Sequence, residues 1–208
     1  MKKSKNYSIL SFTCFVIITI LLYTNNLSGI DNLLYNNIMS VRSTLLDFFF
    51  INITKLCNPL FITIASILLL LILRKDNRMF FGINTILTII TNQVIKRLIR
   101  RPRPNHIRLI KEGGFSYPSG HAMISIALYG FLIYLVMKKV KNKYLKISLL
   151  TLLIFIILLV GISRVYLGVH YPTDIISGYL LSISIIITVK NYYKKFLGGI
   201  KNVKNGFE

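Results

Sequence analysis

The sequence predicts an all-α integral membrane protein, a bundle of six transmembrane helices with both termini cytoplasmic. Three observations carry that expectation. Hydrophobic residues make up 54% of the chain and the mean hydropathy is +0.63, beyond the range of an ordinary soluble domain. Apolar runs approaching the ~20 residues that cross a bilayer recur six times along the chain. Finally, 26 Lys and Arg face only 6 Asp and Glu, a formal charge of +20, and the cations lie mostly between the apolar runs, where the positive-inside rule and anionic headgroups place them. The same charge in a soluble protein would suggest a nucleic-acid partner. Here no basic helix or aromatic-interleaved patch stands apart from the apolar segments, so membrane lipids rather than nucleic acid are the expected partners.

The runs centre on residues 7–23, 58–73, 79–97, 121–137, 145–162 and 174–190. The first follows MKKSKN and is read as an uncleaved signal anchor, because TNNLSG after Tyr23 offers no small-residue cleavage site. Asn84, Thr85, Thr88, Thr91, Asn92 and Gln93 interrupt the third, which predicts a helix packed against others. The fifth, with LLTLLIFIILLV, is the natural lipid-facing span. Between the first two runs, Leu33, Leu34, Ile38, Val41 and Leu45 recur at helical spacing and predict an amphipathic surface helix. Cys14 and Cys57 belong to no metal or disulfide pattern and read as small hydrophobes. No repeat or linker divides the chain, so residues 1–208 are expected to form a single membrane-embedded domain.

With six spans and the N-terminus inside, sixteen Lys and Arg are cytoplasmic and ten lie in or beside the outer connections. Seven of those ten fall in KRLIRRPRPNHIRLIK, residues 96–111. Charge concentrated there points to a binding site.

Three polar clusters then fall at the same membrane face. In the first, Lys96 ends the third span, while Pro102 and Pro104 force Arg101 and Arg103 out of helical geometry. Lys96 and Arg103 are thereby expected to converge on one anion; Arg97, Arg100 and Arg101 are assigned to headgroups. The second, YPSGH, has Ser119 suited to an N-cap, Gly120 allowing close backbone approach, and an apolar helix from His121 whose free N–H groups would cradle a phosphate. Simple capping explains PSGH equally well. In the third, SRVYLGVHYPTD, Pro172 suits the first position of a helix, so the Asp174 carboxylate can reach back to His170 and leave the other ring nitrogen free to attack. Arg164 adds a bidentate phosphate donor, or alternatively a structural salt bridge to Asp174. Ionisable residues this close to hydrocarbon are functional by default. His106 is read as an ordinary loop residue.

These clusters resemble the signature of the type 2 phosphatidic acid phosphatase family. Lys96, six residues and Arg103-Pro104 match its first part; Pro118, Ser119, Gly120 and His121 its second; Ser163, Arg164, His170 and Asp174 its third. All match in order across residues 96–174. The resemblance implies phosphoryl transfer in two steps. The 6 acids are scattered and only Asp174 is near the expected site, so no divalent metal or other cofactor is expected. His170 is the expected nucleophile, Asp174 its orienter, and His121 the proton donor and then base. Lys96, Arg103, Arg164, Ser119 and Gly120 would bind the phosphate. With the site expected at the extracytoplasmic lipid–water boundary, a lipid phosphate or diphosphate is the natural substrate; the resemblance favours undecaprenyl diphosphate, with phosphatidylglycerol phosphate or phosphatidic acid as alternatives. A protein or transporter that only binds anionic lipid is the rival reading, though binding alone has no need of a nucleophile with its orienter.

Overall fold

The structure is a computed structural model that describes residues 2–105 and 108–205. His106 lies outside the described residues. Every regular element described is helical: α1 (Lys2–Tyr23), α2 (Ser28–Ser40), α3 (Thr44–Thr54), α4 (Pro59–Ile72), α5 (Lys75–Ile99), α6 (Gly120–Ser125), α7 (Phe131–Lys139), α8 (Lys143–Tyr166) and α9 (Pro172–Asn205), with a 3-10 turn at Lys55–Cys57 and a π segment, Ile126–Gly130, joining α6 to α7.

Four of the described helical stretches are long and apolar enough to cross a membrane: Lys3–Tyr23, Gly120–Lys139, Lys143–Tyr166 and Pro172–Tyr193. A fifth arises if Thr44–Cys57 and Pro59–Ile72, bent by 41° against each other, count as one broken span. The protein is thus a multi-pass membrane protein, but the sixth expected span is not matched by length and composition. α5 is long enough at 25 residues; its asparagines and threonines make it too polar, and Asn77, Asn84, Thr88 and Asn92 are buried against the other helices.

Local sequence sets the helix ends. Asn58 accepts from the Phe61 N–H at 2.7 Å with Pro59 following, and Asn142 accepts from the Leu145 N–H at 3.0 Å, each satisfying an otherwise free helix donor. α5 stops at Arg100, whose φ of +52° is left-handed.

Hydrogen bonds between small polar residues join α1 to α9. Ser8 Oγ lies 2.6 Å from Thr188 Oγ1, and Ser11 Oγ donates to the Leu180 carbonyl at 2.7 Å. Such contacts are how helices recognise each other where apolar burial gives no preference over lipid. α9 also approaches α6 and α8 through glycines. A Cβ on Gly178 would sit 3.0 Å from the Ser119 carbonyl, and one on Gly161 would sit 2.0 Å from Tyr179 Oη. The main core gathers Phe80, Phe81, Leu128, Phe131, Ile157 and Val160, whereas Leu152, Ile154, Phe155 and Leu158 of α8 face outward, as expected for the lipid-facing run.

The amphipathic segment departs from its expected form. It is broken into α2, α3 and a 3-10 turn, and on α2 the buried residues are Asp31 and Tyr35, while Leu33, Leu34 and, beyond it, Val41 and Leu45 are exposed. The helix turns its acid inward and its leucines outward, because the acid pairs with Arg101.

Candidate active site

The three clusters meet at one end of the bundle. Lys96 projects from the last turn of α5, Arg103 from the connection that follows, Ser119, Gly120 and His121 from the start of α6, Arg164 from the end of α8, and His170 and Asp174 from the α8–α9 turn and the first turn of α9. Backbone contacts lock the approach: the Ser119 N–H donates to the Asp174 carbonyl at 3.0 Å and the Ser116 N–H to the Arg101 carbonyl at 2.9 Å. Asn92 of α5 adds a bond from Nδ2 to the Pro118 carbonyl at 3.0 Å.

His170 is 2% exposed and sits between two unlike environments. Its Nδ1 lies 3.2 Å from Asp174 Oδ2, and its Nε2 lies 3.1 Å from Arg103 Nη1. Guanidinium only donates, so Nε2 must accept and the proton must reside on Nδ1, pointing at the carboxylate. Burial, followed by the charges of Arg164, Arg103 and Lys96, holds this imidazole well below its ordinary pKa, so it is neutral. The nitrogen that was expected to be free for attack is therefore a lone pair covered by one arginine N–H.

Cations line the Nε2 side. Arg103 also donates from Nη1 to the Val169 carbonyl at 2.8 Å and from Nη2 to the Gly113 carbonyl at 2.8 Å. Lys96 Nζ donates to the carbonyls of Phe115 and Ser116. Arg164, 1% exposed, donates from Nη1 to Thr54 Oγ1 at 2.7 Å and from Nη2 to Glu112, while its Nε is buried without a hydrogen-bond partner. Glu112 Oε2 also stands 3.8 Å from Arg103 Nη2, so this one carboxylate bridges two of the expected phosphate-binding arginines.

Arg164 accordingly forms no salt bridge with Asp174; its carboxylate partner is Glu112. Asp174 is paired instead with Arg101, Nη1 to Oδ1 at 2.7 Å. That corrects the assignment of Arg101 to headgroups: its other arm reaches Asp31 Oδ2 at 2.6 Å, and its guanidinium lies 4.0 Å from the Tyr171 ring centroid. Arg97 and Arg100 are exposed. Asp174 is also not the only acid at the site, since Asp31 and Glu112 join it.

Ser119 does cap α6, accepting from the Ala122 N–H at 3.4 Å, and is fully buried. His121, in the first turn, is half-buried and within electrostatic reach of Arg164, His170, Arg103 and Lys96. It also lines a cavity of about 330 Å³ between α4, α5 and α6, walled by Ile62, Ile89, Met123 and Ile124.

Residues 77–197, which carry most of these site residues, match the PAP2 superfamily. The chain belongs to it. It is 32% identical over 196 residues to phosphatidylglycerophosphatase B of Bacillus subtilis, covering 88% of this chain and 93% of that protein. The crystal structure of a transmembrane PAP2-type phosphatidylglycerolphosphate phosphatase from Bacillus subtilis superimposes with a TM-score of 0.80 at 28% identity, covering 90% of this chain and 96% of the other. An undecaprenyl-diphosphatase of Sulfolobus acidocaldarius is 34% identical over 122 residues, 54% of each chain. The chain is a membrane phosphatase.

Asp31, Arg101 and Glu112 were not singled out from sequence. The signal that could have found Asp31 and Glu112 is scarcity: with 6 acids in 208 residues, an acid inside or beside an apolar stretch needs a reason to be there.

Proposed function

We propose that the protein hydrolyses a lipid phosphate or diphosphate through a phosphohistidine intermediate, without a divalent metal. The observation that carries this reading is the His170 ring, held by Asp174 at one nitrogen and facing Arg103 at the other. Binding an anion needs the cations alone; fixing the tautomer of a buried imidazole serves attack.

The phosphate is taken by Arg103, Arg164 and Lys96, with the backbone N–H groups at Ser119 and Gly120 completing the cradle. Arg103 yields Nε2 as phosphorus reaches it. The N–P bond forms, the bond from phosphorus to the leaving oxygen breaks, and His121 gives that oxygen a proton. Asp174 stabilises the imidazolium. Water, losing its proton to His121, then attacks phosphorus and the P–N bond breaks, releasing inorganic phosphate. Arginines engage the nearby carboxylates, Asp31 and Asp174 by Arg101 and Glu112 by Arg164, which leaves the reaction to positioning and positive charge.

The apolar cavity beside His121 supports a lipid substrate, since a tail can lie between α4 and α5 with its headgroup at the histidine. Undecaprenyl diphosphate is the substrate the sequence favours; phosphatidylglycerol phosphate is the second reading, supported by the extent of the likeness to phosphatidylglycerophosphatase B. The site is assigned to the extracytoplasmic face and both termini to the cytoplasm, on the distribution of Lys and Arg.

The test is phosphate release by the detergent-purified chain from undecaprenyl diphosphate, phosphatidylglycerol phosphate and phosphatidic acid, with EDTA present and His170→Ala as control. Release from at least one lipid that survives EDTA and vanishes in the variant is expected. Release by His170→Ala near the wild-type rate, or loss on chelation, overturns the mechanism. No release from any lipid promotes the binding-only reading.

A further inference from the structure

We infer that Asp31 and Arg101 are positioning residues for the reaction, forming with Asp174 a buried relay that holds His170 and supplies the negative charge its imidazolium needs. This rests on the phosphatase reading above and adds two residues to it.

The relay is continuous in space though its members are distant in sequence. Asp31, from α2, is fully buried. Its Oδ2 accepts from Arg101 Nη2 at 2.6 Å and from Thr173 Oγ1 at 2.6 Å, and its Oδ1 accepts from the Thr173 N–H at 3.0 Å. Arg101 Nη1 donates to Asp174 Oδ1 at 2.7 Å and to Thr173 Oγ1 at 2.9 Å. The second Asp174 oxygen takes the Tyr171 N–H at 2.9 Å and faces His170 Nδ1 at 3.2 Å. Arg101 therefore fixes Asp174 by one oxygen and leaves the other to the histidine, and Asp31 fixes Arg101. The planar fork of a guanidinium can bridge two carboxylates in this way; an ammonium cannot reproduce the geometry.

Charge bookkeeping gives Asp31 its purpose. Arg101 alone would neutralise Asp174, leaving nothing to balance the positive charge that grows on His170 during attack. Lys96, Arg103, Arg164 and His121 face the ring from α5, the following connection, α8 and α6, and Glu112 is occupied by Arg164. With Asp31 present, two carboxylates and one guanidinium keep one net negative charge beside Nδ1. The charge is needed in the transition state more than in the ground state, so its loss falls on kcat.

The experiment compares wild type with Asp31→Asn, Arg101→Lys and Asp47→Asn, the last an acid of α3 outside the relay. It reads kcat and KM for phosphatidylglycerol phosphate and undecaprenyl diphosphate, the thermal midpoint, and the low-field proton resonance of His170 Nδ1–H, assigned by its absence in His170→Gln. Asp31→Asn and Arg101→Lys are expected to lower kcat about ten- to a hundredfold with KM nearly unchanged, and to shift or broaden the Nδ1–H resonance. Asp47→Asn changes none of these. Asp31→Asn and Arg101→Lys together are expected to lose little more than either alone, because they break one relay. If Asp31→Asn does not fold, Arg101→Lys, which keeps a positive charge, carries the same test. Wild-type kcat and an unmoved resonance in folded Arg101→Lys overturn the proposal, as does a fall in thermal midpoint alone. A moved resonance in the variants of a protein that releases no phosphate from either lipid upholds the relay and sinks the proposal of these two lipids as substrates.

Discussion

The two sides of His170 are built from the same residue types and held in opposite ways. Behind Nδ1, Asp174, Arg101 and Asp31 interlock through side chains, with exposures of 0%, 14% and 1%. Before Nε2, Arg103 and Lys96 are held mostly by backbone carbonyls of the connection from 113 to 116, and Arg164 by a carboxylate, Glu112, that is 29% exposed. The first set satisfies its charges internally. The second offers donors to acceptors that a phosphate can replace, because carbonyls on a surface connection can turn to water when they are displaced. Orientation of the nucleophile and capture of the substrate thus call for different mechanics, a closed ion network for one and an exchangeable shell for the other.

The severest way to break the comparison is to remove the carboxylate that holds the ring from the Nδ1 side. Asp174→Asn keeps the shape but takes away the charge on which both Arg101 and the His170 tautomer depend, stranding a buried arginine arm. A fall in kcat of about 10³- to 10⁴-fold is expected, on the precedent of carboxylates that orient catalytic histidines. A loss under tenfold in single-turnover phosphate release would mean that Arg103 alone fixes the ring.

On the other side the expected effect is smaller and falls elsewhere. Arg164→Lys keeps a positive charge but loses the fork that spans Thr54 and Glu112. kcat/KM should drop about 10²- to 10³-fold, the usual consequence of removing one preorganised transition-state donor. The His170 Nδ1–H resonance should stay in place, because the relay behind the ring is intact. Movement of that resonance would show the two sides to be one network and erase the distinction.

What could be read from sequence follows the same division. Apolar run length pointed to the helical bundle, and residue spacing pointed to Lys96, Arg103, His121, Arg164, His170 and Asp174, which the fold brings to one end of the bundle, at or beside helix ends except for Arg103 in the connection after α5. α5 was legible as a packed helix from Asn84, Thr88 and Asn92, though composition alone does not qualify it as a span. The relay was not legible. Asp31 meets Arg101 across 70 residues, a pairing set by how α2 lies against the bundle, and the outward leucines of α2 made the segment look like a surface helix with its apolar face turned in. Arg101 sits in a run of arginines at 97, 100, 101 and 103, and only the left-handed turn at Arg100 decides which of them point inward.

Glu112 offers the mildest and most informative test. Its carboxylate bridges Arg164 and Arg103, so a phosphate arriving at these cations competes with a negative charge already there. Neutralising it by Glu112→Gln removes the competitor and like-charge repulsion at the site while leaving an amide oxygen to accept from Arg164. KM is expected to fall about three- to tenfold with kcat changed less than twofold, the signature of an effect on uniform binding rather than on the transition state. Inhibition by inorganic phosphate should strengthen in the same proportion. A rise in KM would give Glu112 the opposite part, that of holding Arg164 in place for the substrate. The Nε2 side would then be as preorganised as the Nδ1 side, with the 29% exposure of Glu112 reflecting only its place at the rim.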